Sequence, residues 1–236
     1  TNPLFYAKIL LFGEYGIIED SQGLTLPYSF YKGALKFSSL QSDFEKESNE
    51  SLKKYANYLK DLELPDAYTI NISALQKDIR KGLFFDSNIP QGYGVGSSGA
   101  LVAAIFERYS IKTYLPEHIS KDELKDLKKI FSQMESYFHG KSSGIDPLIC
   151  YMNLPILIEN KENVNKVSIP QSEEGKGAIF LIDSGITGET GPMVQIFFEK
   201  MKTEGFRKTM KEEFIRYNNA CIDAFLKKEM TPLFRN

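Results

Sequence analysis

Apolar residues recur along the chain with two periods, and the switch between them predicts the order of elements. Leu4 to Phe12 is a nearly continuous apolar, β-prone run ended by Gly13-Glu14, which reads as a buried strand leading into a turn. Ala34 to Leu40 and Ala67 to Leu75 read as further strands, the latter alternating through Tyr68, Ile70 and Ile72. Between them, Phe44, Leu52, Tyr55, Leu59 and Leu62 stand at helical spacing and predict an amphipathic helix over Asp43 to Leu62. A short strand at Leu83 to Phe85 precedes a glycine-rich loop and a helix over Ser98 to Tyr109. Lys121 to His139 carries Leu124, Leu127, Phe131, Met134 and Phe138 on one stripe, which predicts another helix. Gly144 to Pro147 opens a short helix, Pro155 to Glu159 and Ala178 to Ile182 read as strands, and helices over Pro192 to Lys202 and Phe206 to Lys228 follow. Interspersed strands and helices place the chain in the α/β or α+β class, with the polar stretch Gln171 to Gly177 as the best domain boundary.

Composition narrows the function classes. With 236 residues and 42% hydrophobic content, the chain can bury a full core in one large domain or two small ones. Lys and Arg total 29 against 31 acidic residues, a net charge of −2, so no bulk attraction to nucleic acid or to an anionic membrane is expected. A highly charged ligand must therefore be handled by a local site. Cys150 and Cys221 form no CxxC pair and read as two small core residues of a reducing, cytoplasmic compartment. No signal-peptide pattern opens the sequence, and no apolar run approaches ~20 residues. The last helical pattern runs out at Met230 to Asn236 without a closing element, which predicts a fragment of a longer product. Composition leaves a homodimer open.

The segment Ile89 to Val102, Ile-Pro-Gln-Gly-Tyr-Gly-Val-Gly-Ser-Ser-Gly-Ala-Leu-Val, has the composition of a phosphate cradle. Gly92, Gly94, Gly96 and Gly99 lack a Cβ, so the backbone can approach a bulky anion. Ser97 or Ser98 is expected to cap a helix starting near Gly99, aiming free N–H groups and the positive end of the helix dipole at that anion. Gly94 to Gly99 satisfies GxGxxG, but no strand runs directly into Gly94, and the acidic strand end expected ~20 residues on falls in Thr-Tyr-Leu-Pro-Glu-His. No Lys follows the last glycine, which excludes a Walker A loop, and the companion motifs of protein kinases are missing. The competing structural reading is a tight turn before a helix.

Three isolated charges carry the remaining chemistry, each with a bland alternative. Glu135 lies at or beside the apolar stripe of its helix, either snorkelling to solvent or holding Mg²⁺, which takes one or two carboxylates plus phosphate oxygens. Asp146 before Pro147 is either an ordinary helix N-cap or, after the polar lead-in from His139 to Gly144, a group that orients or deprotonates a hydroxyl. Lys8 interrupts the first strand and is either an edge lysine in solvent or a site lysine that neutralises charge. His118 and His139 show no metal-ligand spacing, so neither reads as a zinc ligand. Asp183 to Gly191 is either a plain loop or a third polar wall.

Taken together, these pieces resemble the GHMP kinases, and among them the mevalonate kinases most closely. Ala7-Lys8-Ile-Leu-Leu-Phe-Gly13-Glu14-Tyr15 resembles the family's first motif, and Pro90 to Ala100 its Pro-x-x-x-Gly-(Leu)-Gly-Ser-Ser-Ala loop. Glu135 is similar to a metal-binding Glu upstream of His-Gly, and Ser143-Gly144-Ile145-Asp146 to the Ser-Gly-x-Asp that carries an aspartate acting on the acceptor. Tyr15 stands where mevalonate kinases usually have His, Val95 where Leu is usual, Gly99 for Ala and Pro147 for Asn, and no Gly-Ala-Gly-Gly-Gly motif occurs. The resemblance implies a two-lobed α+β fold, with an N-terminal ATP-binding domain over 1–174 and part of a C-terminal domain over 175–236. It implies ATP and Mg²⁺ as cofactors and a small hydroxy acid as substrate, most simply mevalonate phosphorylated at its terminal hydroxyl. Phosphomevalonate, homoserine, a sugar or a non-catalytic nucleotide-binding role are the alternatives. By the same resemblance Asp146 and Lys8 serve catalysis, and Pro90, Gly92, Gly94, Val95, Gly96, Ser97 and Ser98 serve nucleotide binding. Ser98 and Glu135 serve the metal, and Glu14, Ser143, Gly144 and Thr187 serve the substrate.

Overall fold

The computed structural model describes residues 2–112, 114–170, 181–183, 185–188 and 190–233. Two strands organise it. β1 (Phe5–Phe12) neighbours β2 (Gly23–Phe37) in a five-stranded sheet of order β1-β2-β4-β5, with β3 (Leu83–Ser87) also on β2. The C-terminal half of β2 pairs antiparallel with β3 from Gly33↔Ser87 to Phe37↔Leu83. Its N-terminal half pairs with β4 (Ile156–Ile158), which pairs with β5 (Val164–Lys166), both antiparallel. β2 therefore begins eleven residues before the strand expected from Ala34. Pro27, Ser29, Lys32 and Gly33 break its apolar pattern, and pairing along its length overrides that local signal.

The chain divides into two compact units through which β1 and β2 both run: Thr1–Lys8, Pro27–Pro90 and Val95–Asn153, then Ile9–Leu26, Gln91–Gly94 and Leu154–Asn236. In the first, α1 (Asp43–Lys60) starts at a capping box in which Ser42 and Glu45 satisfy each other's backbone N–H groups. The segment read as a strand over Ala67 to Leu75 is instead a 3₁₀ turn at Asp66–Tyr68, a single bridge from Ile70 to Ser110, and α2 (Ile72–Arg80). Asn71 caps α2 by accepting from Ala74 N, and the buried Leu75 and Ile79 stand four apart, so helical periodicity wins once the cap is made. α3 (Ser97–Tyr109) is apolar around most of its circumference, and Ala100, Val102, Ala103, Ile105 and Phe106 are sealed from solvent. α4 (Lys121–His139), opened by a second capping box at Ser120 and Glu123, and α5 (Ile145–Met152) flank it. Phe106, Phe131 and Tyr151 join the three through ring contacts of 5.0 and 5.5 Å.

In the second unit, α6 (Thr190–Met201), α7 (Glu204–Thr209) and α8 (Ile215–Leu226) follow the strands, and a π-helical turn at Met210–Phe214 joins α7 to α8. α9 (Met230–Leu233) ends the described chain. The single helix expected over Phe206 to Lys228 is thus one rod with a π turn inside it. Asn218 donates to Ser21 Oγ and to the Gln22 carbonyl, both at 2.8 Å, tying α8 to the loop after β1. Most of the strand expected over Ala178 to Ile182, and the expected boundary at 174/175, lie outside the described residues. Among the described residues no helix is long and apolar enough to cross a membrane. Cys150 is buried as expected, but Cys221 is only half-buried.

Candidate functional site

The first turn of α3 is where Lys8, Glu135 and Asp146 meet. Gly96 occupies the N-cap position with φ 83°, a left-handed conformation that suits glycine, and no side chain caps the helix. Gly92 and Gly94 also take positive φ. Ser97 and Ser98, expected as caps, are instead the first two helical residues. The Gly96 carbonyl accepts from Ala100 N at 3.0 Å, so the N–H groups of Ser97, Ser98 and Gly99 have no acceptor within the helix. β1 holds the loop from beneath, with Lys8 N donating to the Val95 carbonyl at 2.9 Å. A Cβ on Gly96 would lie 2.9 Å from Lys8 Cγ, so only a glycine lets the loop lie across that lysine stem.

Ser98 is free to look elsewhere because it is not a cap. Its hydroxyl donates to Glu135 Oε1 at 2.9 Å and stands 3.0 Å from His139 Nε2. Ser142 Oγ donates to Glu135 Oε2, and Gly144 N donates back to Ser142 Oγ at 3.0 Å. Glu135 is 3% exposed, which settles the snorkelling alternative against solvent. Burial pushes its carboxyl up to about 7, the nearby Asp146 carboxylate adds to the rise, and Ser142, Ser98 and Lys8 oppose it. The Lys8 ammonium, paired with Asp146, offsets only part of that rise. Glu135 with the Ser98 hydroxyl suits a hard divalent cation that keeps its other ligands as water or phosphate oxygens. Among the described residues no three His, Cys, Asp or Glu side chains gather into a fuller metal shell.

Asp146 enters from α5. Gly144, not Asp146, occupies the N-cap position, so Asp146 is the second helical residue and the simple N-cap reading fails. Its Oδ1 stands 3.0 Å from Lys8 Nζ, with the lysine side chain 11% and the aspartate 33% exposed. Lys8 is thus a buried lysine paired with a carboxylate, not an edge lysine in solvent. A Cβ on Gly99 would fall 2.7 Å from the Asp146 carbonyl carbon and 2.8 Å from Pro147 N, so the glycine lets α3 and α5 touch at the aspartate. Gly99→Ala is expected to cost about 1–3 kcal/mol of stability as the α5 start is pushed away. Urea denaturation measures it, and an unchanged midpoint would show that the contact gives way freely. Three residues of one helical turn, Gly96, Ser98 and Gly99, therefore each touch a different charged element: the Lys8 stem, the Glu135 carboxylate and the Asp146 backbone.

The remaining candidates are placed as follows. Pro90, Val95 and Ser97 belong to the first unit, as do Ser143, whose hydroxyl accepts from Ile145 N at 3.3 Å, and Gly144. Gly92, Gly94, Glu14 and Thr187 belong to the second. There Gly188 N donates to the Gly92 carbonyl at 2.9 Å, and a Cβ on Gly92 would meet Thr187 Cβ at 3.1 Å. Glu14 is exposed at its turn. Sequence reasoning missed Ser142 and set His139 aside. The four-residue spacing of Glu135 and His139 on α4, which puts both on one helix face, was the available signal.

Residues 52–153 match the family described as GHMP kinases N terminal domain. The match spans less than half of the chain and marks a similarity to that family's N-terminal domain. The matched segment contains the glycine loop, Glu135 and Asp146, while Lys8 precedes it. The fold matches as well. A mevalonate kinase from L. major in complex with R-mevalonate is similar at TM-score 0.61 and 14% identity, over 100% of this chain and 72% of that one. The Methanococcus jannaschii mevalonate kinase is similar at TM-score 0.52 and 14% identity, over 96% and 73%. A further mevalonate kinase is similar at TM-score 0.54 and 14% identity, over 98% and 76%. At such identity the likeness is one of fold. No curated protein matches the sequence.

Proposed function

We propose that the chain is an ATP-dependent small-molecule kinase acting on a hydroxyl group. Mevalonate is the leading acceptor. The observation that carries this reading is the convergence of Lys8, Glu135 and Asp146 on the first turn of α3. A helix N-terminus with free N–H groups favours phosphate, and phosphoryl transfer needs positioning and charge neutralisation more than covalent chemistry. The loop from Pro90 through Gly92, Gly94, Val95, Gly96 and Ser97 to Ser98 holds the phosphates in this reading. Mg²⁺, when bound, neutralises phosphate charge. The fit rests on the buried Glu135 carboxyl, whose raised pKa Lys8 only partly offsets and which stands beside the Ser98 hydroxyl.

The chain's own residues account for the acceptor side. Asp146, one oxygen held by Lys8, orients the acceptor hydroxyl and takes its proton as the oxygen attacks. The Lys8 ammonium stabilises the ionised aspartate and the charge that develops beside it. Glu14, Ser143, Gly144 and Thr187 are assigned to the acceptor substrate. Domains over 1–174 and 175–236, and a cytoplasmic enzyme without nucleic-acid or membrane partners, complete the proposal.

Coupled ADP release from the purified chain against mevalonate, phosphomevalonate, homoserine and a panel of sugars tests the reading. Turnover with one acceptor is expected. Nucleotide binding without turnover on any acceptor would favour a nucleotide-binding protein instead.

A further inference from the structure

The Ser98 oxygen carries one hydrogen and has two neighbours, Glu135 Oε1 at 2.9 Å and His139 Nε2 at 3.0 Å. In the ionised form that would hold a cation, the Glu135 carboxylate only accepts, so the hydroxyl hydrogen goes to it, and its other oxygen already accepts from Ser142. Ser98 then meets the imidazole only as an acceptor, and the ring nitrogen facing it must carry a hydrogen. We propose that His139 is a positioning residue: its Nε2–H donates to Ser98 Oγ and holds the hydroxyl so that one lone pair stays available to a divalent cation. This rests on the reading of Ser98 and Glu135 as cation ligands.

Three observations support it. Glu135 and His139 stand one turn apart on α4, so the same helix face fixes both partners of Ser98. His139 is exposed in the last turn of α4, so its side chain is not held there by core packing. Ser98 is released from capping because Gly96 takes that position, so its rotamer depends on these side-chain bonds. Groups that orient a ligand typically change metal affinity by about 10–100-fold when removed.

Mn²⁺ binding in the presence of ADP, read by electron paramagnetic resonance on the purified chain, tests the role without requiring turnover. His139→Leu is expected to weaken Mn²⁺ by about ten-fold. His139→Gln, whose amide N–H has similar reach, should restore most of that loss, and the shorter His139→Asn should not. Unchanged binding in His139→Leu, or equal losses in the Leu and Gln variants, would overturn the proposal. A second measurement is independent of metal. In a His118→Gln background, ¹⁵N shifts of the remaining imidazole at pH 8.5 should show hydrogen on Nε2, with that resonance moving in Ser98→Ala. Hydrogen on Nδ1 alone, or no response to Ser98→Ala, would overturn the hydrogen bond. If Glu135→Gln also leaves Mn²⁺ binding unchanged, the cation reading itself fails, and the nitrogen shifts alone decide the hydrogen bond.

Discussion

Asp146→Asn should lower kcat by about 10³-fold, within the 10²–10⁴ range of a lost acid–base group, while ATP binding stays within a few-fold. The amide keeps the shape of the carboxylate and still accepts from Lys8, so the helix start and the α3 contact at Gly99 survive. What is lost is the negative charge that draws the acceptor's proton. Asp146→Ala should be equally inactive and also less stable, because Lys8 would be left buried without its carboxylate. Breaking a fully buried ion pair costs about 3–5 kcal/mol, and the partial exposure of Asp146 reduces that to about 1–3. Single-turnover ADP formation and nucleotide titration separate the two effects. Turnover in Asp146→Asn within ten-fold of the parent would remove Asp146 from the chemistry and leave it a structural partner of Lys8.

Much of the helical layer was legible because its signals are local. α1 and α4 announce themselves by apolar stripes, and their expected bounds agree with the structure to within two residues. The sheet was less legible. β2 extends across Pro27 and Gly33 because β3 and β4 pair with different halves of it, and no window of the sequence contains both partners. Tyr68, Ile70 and Ile72 alternate like a strand, yet Asn71 starts a helix among them, so a cap outweighed a short period-two run.

The charged residues of the site were readable as exceptions to their surroundings. Lys8 in an apolar strand and Glu135 at an apolar stripe are both buried, and the structure supplies the reason: each has polar partners from another element. The direction of Ser98 was not readable. Its role turned on whether Gly96 or a serine held the N-cap position, a choice made by the positive φ at Gly96 and by the passage of Lys8 beneath it. Ser142 escaped for a similar reason, since its hydroxyl reaches Glu135 only after the chain has reversed between α4 and α5.

Glu135→Gln should remove the pH dependence of stability that the buried carboxyl imposes on the metal-free protein. The folded chain binds the Glu135 proton more tightly than the unfolded chain, with a pKa of about 7 against the ordinary 4.5. Below pH 4.5 both states hold the proton and the group costs nothing. Between 4.5 and 7 the unfolded chain gives up its proton while the folded chain keeps it, so stability falls as pH rises. Above 7 the folded chain carries a buried anion, and the full difference of about 3 kcal/mol has been lost. A glutamine avoids that loss, because its carbonyl accepts from Ser98 and its amide donates to Ser142. Urea unfolding at pH 5 and pH 8.5 should therefore show the variant gaining about 3 kcal/mol on the parent between the two conditions. Added Mg²⁺ and ADP should invert the order at pH 8.5, since a cation stabilises the ionised carboxylate and has less to bind in the glutamine variant. Parallel pH profiles would show that Glu135 ionises freely in the fold. A pH effect without the inversion would keep the buried carboxyl and remove the cation from it.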